Sequence, residues 1–245
     1  MQSYQPRTRL FVGDAPLHAG ASIALGPEQA HYLRAVLRAE KGEQLEVFNG
    51  RDGAFAAQIT ALSKATAALD IGDQTAAQEV LPALTLAFAI VKKDRVQMIA
   101  EKATELGAAR IAPIITARTQ GQAVKQLKME KLRSYIIEAA EQCGRTALPQ
   151  LAPPTAFADL LPQVGAPDHL LYADEMTAGN PAPWPAPTGH TTLLIGPEGG
   201  FAPDERAALK AHTAAHPITL GPRILRAETA ALAALALWQS QFGDW

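Results

Sequence analysis

Two stretches of this 245-residue chain hold the residues best suited to chemistry. One is Ile195-Gly-Pro-Glu-Gly-Gly200 and the other is Leu220-Gly-Pro-Arg-Ile-Leu-Arg-Ala-Glu-Thr-Ala230. Glycine backbone lets a ligand approach without obstruction by side chains. Thr191–Ile195 is apolar, β-branched and too short for a helix, so it reads as a buried strand. Pro203-Asp204-Glu205 opens a helix, with proline at its first position and two acids in its first turn. Strand, glycine loop and helix in that order is how a doubly wound sheet builds a ligand crevice at its strand ends. The loop is not a P-loop, because no Gly-Lys-Ser/Thr follows, and it lacks the G-x-G-x-x-G fingerprint. Glu198, Asp204 and Glu205 put negative charge where a phosphate would sit. That chemistry suits a cationic or zwitterionic ligand. A tight turn that merely needs glycine accounts for the first loop equally well when it is read alone.

The elements that must position these loops follow from pattern. Leu84–Ile90, Arg110–Thr116, His169–Ala173, Thr191–Ile195 and Pro217–Leu220 read as strands. Between them, helices are expected over Lys93–Leu106, Met129–Cys143, Thr155–Leu161 and Asp204–His212, with a last one from about Glu228 to Gln239. Val96, Ile99, Ala103 and Leu106 form one apolar stripe, and Leu132, Ile136, Ala139 and Cys143 another. Alternation of strand and helix argues a mostly parallel sheet covered on both faces. Thr177 to Gly189 holds four prolines and reads as an irregular loop.

Residues 1 to about 75 differ in character. Arg9–Gly13, Glu43–Asn49, Ala54–Thr60 and Thr66–Ile71 are short candidate strands, and Asn49-Gly-Arg-Asp-Gly53 is a hairpin turn signal. A helix is expected from Pro27 to about Arg38, which sets His31, Arg34 and Arg38 on one face. Arg7, Arg9 and Arg51 add cations. A solvated charged face and an RNA-binding face both fit that pattern. Ile71 to Leu84 is polar and Ala-rich and reads as a linker.

The totals bound the function. Net charge is −2, so no basic nucleic-acid-binding domain is announced, and any RNA contact must come from local clusters. The chain is 48% hydrophobic and 19% charged, ordinary for a globular protein. One cysteine excludes an internal disulfide and a Cys-rich zinc site. The histidines show no metal-ligand spacing. No apolar run has membrane-spanning length and no signal peptide is apparent, so the expected location is the cytoplasm. Cys143 lies on the apolar stripe of its helix and reads as a small core residue.

Both glycine stretches, in this order, resemble the SPOUT methyltransferases, and within them the RsmE family of 16S rRNA (uracil-N3) methyltransferases. Arg9-Leu-Phe11, His31-Tyr-Leu-Arg-Ala-Val-Leu-Arg38, Glu101-Lys-Ala-Thr-Glu-Leu-Gly107 and Glu141-Gln-Cys-Gly-Arg145 resemble further family blocks, so the likeness spans nearly the whole chain. The resemblance implies a fold of the α/β class. An N-terminal PUA-like β-barrel at 1–74 would grip RNA. A SPOUT domain at 75–245 would carry a parallel sheet threaded into a deep trefoil knot. S-adenosyl-L-methionine would be held by Ile195, Gly196, Glu198, Gly199, Gly200, Leu220, Gly221, Ile224, Leu225, Glu228 and Thr229. The 16S rRNA, as part of the small ribosomal subunit, would meet Arg7, Arg9, His31, Arg34, Arg38, Arg51 and Arg145. The active form would be a homodimer with no metal.

Methyl transfer to uracil N3 needs the N3 anion, whose formation at neutral pH costs roughly 3 kcal/mol for a pKa on the order of 9. A base, or a cation beside the uracil carbonyls, would lower that cost. Arg226 is the candidate cation and Glu198 the candidate proton acceptor or orienting group. A salt bridge of Arg226 to Glu228 is the competing reading, and hydrogen bonding of Glu198 within its own turn is another. Lys92, Lys93 and Arg95 read equally as phosphate contacts or as a solvated helix start. A non-catalytic RNA-binding or ribosome-assembly factor with the same fold is the alternative function.

Overall fold

The protein is described from a computed structural model covering residues 8–174, 176 and 183–245. It forms two compact units. One comprises the residues up to Val80 together with Ala140–Leu148, the other Leu81–Ala139 with Pro149–Trp245.

The first unit is built on a five-stranded sheet. Its strands are β1 (Arg9–Phe11), β2 (Ser22–Leu25), β3 (Gln44–Phe48), β4 (Ala54–Leu62) and β5 (Ala67–Ala76), hydrogen-bonded in the order β1-β3-β4-β5-β2. Only β1 and β3 run parallel. Leu10, Leu33, Val47, Ile59 and Leu69 are among the side chains that close its core. The first part of the segment expected to be a linker is strand, because β5 runs on to Ala76 against β4. β2 was not anticipated.

The expected helix from Pro27 is shorter and changes pitch. Helix α1 covers Pro27–His31, and a π turn follows over Tyr32–Val36, with Leu37 N–H donating to Tyr32 O at 3.0 Å. Arg38 has φ of 54°, in the left-handed region that ends helices. The shared face expected for His31, Arg34 and Arg38 assumed an unbroken 3.6-residue period, and the wider turn breaks it.

The hairpin expected at Asn49–Gly53 joins β3 to β4, and Asp52 staples it. Asp52 Oδ2 accepts from Leu17 N–H at 3.0 Å and from Asn49 Nδ2 at 2.6 Å. The Leu17 amide, the Asn49 amide and the Arg51 guanidinium hold this carboxyl down from 3.8 to about 2. A depressed folded-state pKa stabilises the fold above the unfolded value and loses that contribution as pH falls through about 2. In urea unfolding between about pH 4 and pH 2, the wild type is expected to lose about 1 kcal/mol that Asp52→Asn does not, after discounting for the partly exposed site.

The second unit carries the parallel sheet. Its strands are β6 (Leu84–Ala89), β7 (Arg110–Ile115), β8 (Gln150–Leu151), β9 (Thr155–Ala156), β10 (His169–Ala173), β11 (Thr191–Ile195) and β12 (Ala215–Ile218). The order is β12-β10-β11-β6-β7-β8, with β9 also pairing β7, and every pairing is parallel. β6 and β11 are buried at every position, as strands covered on both faces must be.

The helices of this unit are α2 (Lys93–Glu105), α3 (Gly121–Gln126), α4 (Met129–Cys143, whose last turn belongs to the first unit), α5 (Phe157–Leu160), α6 (Pro203–Ala211) and α7 (Ala227–Phe242). α2 buries Val96, Ile99 and Ala103 as its stripe requires, and packs against α7. Gln239 of α7 donates from Nε2 to Leu106 O at 2.9 Å, closing the end of α2. Three expectations need correction. α3 was not foreseen, the helix expected from Thr155 begins as the short strand β9, and the strand expected over Pro217–Leu220 lies two residues earlier. α4 buries Leu132, Ile136 and Ala139 as expected, but Cys143 in its last turn is exposed rather than in the core. Of the expected loop from Thr177 to Gly189, residues 177–182 lie outside the described residues.

Candidate functional site

β12, β10 and β11 are neighbours in the sheet, and their carboxyl ends open into one cavity of about 220 Å³. Its walls are Ala173 and Asp174 after β10, the whole Gly196–Gly200 bend after β11, and Thr219–Leu225 after β12. Ala227 and Ala230 of α7 close it. The two glycine loops, separated by about twenty residues in sequence, therefore meet at the position where open parallel sheets bind ligands.

Local chemistry explains the shape of the first loop. A Cβ on Gly196 would lie 3.1 Å from the Phe201 ring. Phe201 is itself buried against Phe157 and Tyr172, at ring separations of 5.9 and 6.4 Å. Burial, reinforced by the Asp174 carboxylate, pushes the Tyr172 phenol up, so it stays neutral beneath the loop. Gly200, at φ of 70°, donates its N–H to Pro197 O at 2.8 Å and so tightens the bend. In the second loop Gly221 has φ of 101°, a conformation L side chains rarely adopt.

Two arginines hold the first loop from outside. Arg95 of α2 pairs with Glu198 and also approaches Glu228 Oε1 at 3.6 Å from Nε. Arg118, beyond the end of β7, donates from Nη1 to the Gly199 carbonyl. Glu205 caps α6: Oε2 accepts from Ala202 N–H at 2.8 Å and Oε1 from Ala117 N–H at 2.7 Å. Asp174 pairs with Arg206, tying the end of β10 to α6.

Of the residues expected at the cofactor site, Ile195, Gly196, Glu198, Gly199, Gly200, Leu220, Gly221, Ile224 and Leu225 all line this cavity. Glu228 does not; it faces Arg95. Thr229 is exposed on α7 and lies outside the cavity lining. Arg226 is exposed at the start of α7, and the cavity lining does not include it. The partner of Glu228 is Arg95, not Arg226. Arg118 and Asp174 were missed, and Arg95, read as a phosphate contact or a solvated helix start, instead pairs with Glu198 and Glu228. Asp174 and Arg118 follow the carboxyl ends of strands, which is the signal that could have found them.

The cations expected on RNA fall into two groups. His31, Arg34, Arg38 and Arg51 are exposed. Arg9 and Arg145 are engaged inside the first unit. Arg9 Nε pairs with Glu46 Oε1 at 2.6 Å, its Nη atoms donate to the Ala140 and Arg145 carbonyls, and it sits 4.9 Å over the Phe48 ring. Arg145 is buried and pairs with Glu79 at 3.2 Å. Both side chains anchor the first unit. Arg7 lies outside the described residues. Among the described residues no group of three His, Cys, Asp or Glu is arranged to hold a metal ion, and no helix is long and apolar enough to cross a membrane.

A family model described as an RNA methyltransferase domain matches residues 78–239, and one described as an RNA methyltransferase PUA domain matches residues 25–71. A ribosomal RNA small subunit methyltransferase E from Rickettsia conorii is 35% identical over 233 residues, 93% of each chain. The chain belongs to the ribosomal RNA small subunit methyltransferase E family. A second member, from Synechocystis, is also 35% identical, over 88% of this chain and 72% of its own. A crystal structure of the family enzyme from Neisseria gonorrhoeae, bound to S-adenosyl methionine, superposes with a TM-score of 0.85 at 31% identity, covering 99% of this chain and 100% of that one. A putative methyltransferase from Legionella pneumophila in complex with the same cofactor superposes at 0.87 and 33% identity, over 97% and 99%. The family fold, a PUA-like N-terminal sheet followed by the parallel sheet of SPOUT methyltransferases, is the one observed.

Proposed function

We propose that this protein transfers a methyl group from S-adenosylmethionine to N3 of a uridine in 16S rRNA of the small ribosomal subunit. The observation that carries the reading is the meeting of Gly196–Gly200 and Leu220–Leu225 around one cavity. Two relatives at 31% and 33% identity are solved with S-adenosyl methionine bound.

The residues present fit this cofactor. Glycine backbone on two sides leaves amide and carbonyl groups accessible to an adenine edge and ribose hydroxyls. Ile224, 87% exposed at the rim, and Leu225 offer apolar surface for a ring. The Glu198 carboxylate stands at the rim with its charge matched by Arg95, so it offers acceptor oxygens rather than net negative charge. When bound, the cofactor supplies a methyl group on a positively charged sulfur that leaves as a neutral thioether. The chain's own part is to hold the two reactants in line and to favour the N3 anion, and no metal is required for either.

Several features complete the proposal. The loop after β12 would be threaded to form a trefoil knot, a topology that is rare and that the family likeness supports. The working form would be a homodimer. Met98 and Leu237, exposed on the adjacent helices α2 and α7, provide apolar surface for a second copy. The boundary between RNA-binding and catalytic domains would fall near residue 75, with His31, Arg34, Arg38 and Arg51 available to phosphates, and the enzyme would act in the cytoplasm. Mass spectrometry of small-subunit rRNA nucleosides tests the reading. Deleting the gene is expected to remove N3-methyluridine, and restoring it to bring the nucleoside back. Persistence of N3-methyluridine in the deletion strain would overturn it.

A further inference from the structure

A second cavity of about 250 Å³ shares Pro197, Glu198 and Gly199 with the first. Its remaining walls come from Ile90, Val91 and Lys92 after β6, and from Arg118, Gln120 and Ala123 after β7. The bend at 197–199 is thus a wall common to two chambers of one unit.

We propose that the second chamber receives the target uracil, flipped out of its RNA, with Lys92 and Arg118 set against its carbonyl oxygens. This rests on the uracil-methylating function proposed above. Ile90, Val91 and Ala123 supply an apolar floor for a planar ring, and Lys92, Arg118, Gln120 and Glu198 set polar groups around it. The polar groups suit an imide. Uracil presents O2 and O4 on either side of N3, and the N3 anion spreads its charge onto both. Arg118 already donates through Nη1 to Gly199 O, so its guanidinium is oriented, and a guanidinium has further N–H donors to offer. Gln120 offers both a donor and an acceptor.

The local charge favours an anion. Four charged side chains bear on the chamber. Lys92 and Arg118 are cations on its wall, and Glu198 is the acid there, with its charge already matched by Arg95. Arg226, expected from sequence to stabilise the anion, lines neither chamber.

In the transfer itself the N3–H bond breaks and its proton passes to solvent. The N3 electron pair forms the new bond to the methyl carbon, while the methyl–sulfur pair stays with sulfur. The cations act before and during that exchange, by lowering the N3 pKa of the bound base.

The test compares wild type with Lys92→Met, Arg118→Gln and the double variant. Lys92 is exposed, so its variant is expected to fold whatever Arg118→Gln does to the loop. With S-adenosylhomocysteine bound, so that no transfer occurs, the fluorine NMR shift of a target RNA carrying 5-fluorouridine reports N3 ionisation. The wild type is expected to lower the N3 pKa of the bound base below that of the free RNA, and the variants to return it towards the free value. In single turnovers with S-adenosylmethionine, the double variant is expected to slow by about 100-fold, the size seen on removing one preorganised donor to a developing anion. The slowing should be smaller on 5-fluorouridine RNA, whose N3 is already more acidic, and the rate profile should shift to higher pH. An unchanged bound pKa, a rate within threefold of wild type, or a loss confined to KM as phosphate contacts would give, overturns the proposal. If the wild type transfers no methyl group to any small-subunit RNA, it is the function itself that fails.

Discussion

Replacing Arg95 with methionine is expected to cost about 2–3 kcal/mol of stability and to weaken S-adenosylmethionine binding by about tenfold or more. Glu228 is 8% exposed, and its Oε2 has no hydrogen-bond partner among the described residues. Its nearest charged partner is the Arg95 guanidinium, 3.6 Å from Oε1. Removing one member of such a pair leaves a buried charge uncompensated, a larger effect than the pair's own net worth. The estimate sits below the range for fully buried pairs because the Arg95 side chain is a quarter exposed. The same substitution frees Glu198 and with it the wall between the two chambers, which is where the affinity loss comes from. Adding Glu228→Gln to Arg95→Met should recover most of the stability, since a neutral amide needs no counter-charge, but little of the affinity. Urea unfolding and calorimetric titration separate the two quantities. Equal recovery of both would show that Arg95 acts only on α7 and not on the loop.

That arrangement also marks the limit of what the chain reveals when read as a string. The runs at Leu84–Ala89 and Thr191–Ile195 carry no charge and no polar residue but threonine, and such runs fit few places other than a strand buried on both faces. The stripes of α2 and α4 repeat over enough turns to overdetermine a helix. The glycine loops are legible because a backbone left bare after a buried strand has a short list of uses. By contrast, Ser22–Leu25 is a strand because β5 lies beside it; four residues of alternating burial carry little local preference. Gly72 to Ala76 looks like a linker for the same reason in reverse: its polar side chains face out while β4 supplies the ladder. The π turn after α1 has no propensity signature. Cys143 follows the stripe of its helix, yet the last turn of α4 groups with the first unit, where different neighbours leave it exposed. Arg95 and Arg118 could not be assigned from spacing, since their role depends on which loop the fold brings to them. Arg9 illustrates a related limit. Spacing shows a cation near the start of the chain but not that Glu46, Phe48 and two carbonyls engage it.

Gly196→Val is expected to abolish measurable S-adenosylmethionine binding and to destabilise the protein by about 2–4 kcal/mol. A single added carbon at this position would already stand 3.1 and 3.2 Å from two atoms of the Phe201 ring. Contacts that close require the neighbour to move, and Phe201 has little freedom. It is 2% exposed and wedged against Phe157 and Tyr172 in the core beneath the sheet end. The two methyl groups of valine would meet the same ring or the cavity. The bend must then shift outward, carrying Glu198 and Gly199 away from Arg95 and Arg118, so the common wall of both chambers is displaced by one substitution. Gly196→Ala should show the same effect in smaller measure, about 1–2 kcal/mol. Gly121→Ala provides the contrast, because a Cβ there meets nothing within 4 Å and the residue opens α3. That variant is expected to be neutral or slightly stabilising, by up to about 1 kcal/mol, through the unfolded chain it restricts. Calorimetry and thermal unfolding of the three variants side by side decide the matter. Cofactor affinity in Gly196→Val equal to that of Gly121→Ala would mean that the bend after β11 is no part of the binding site, however close it lies to the bend after β12.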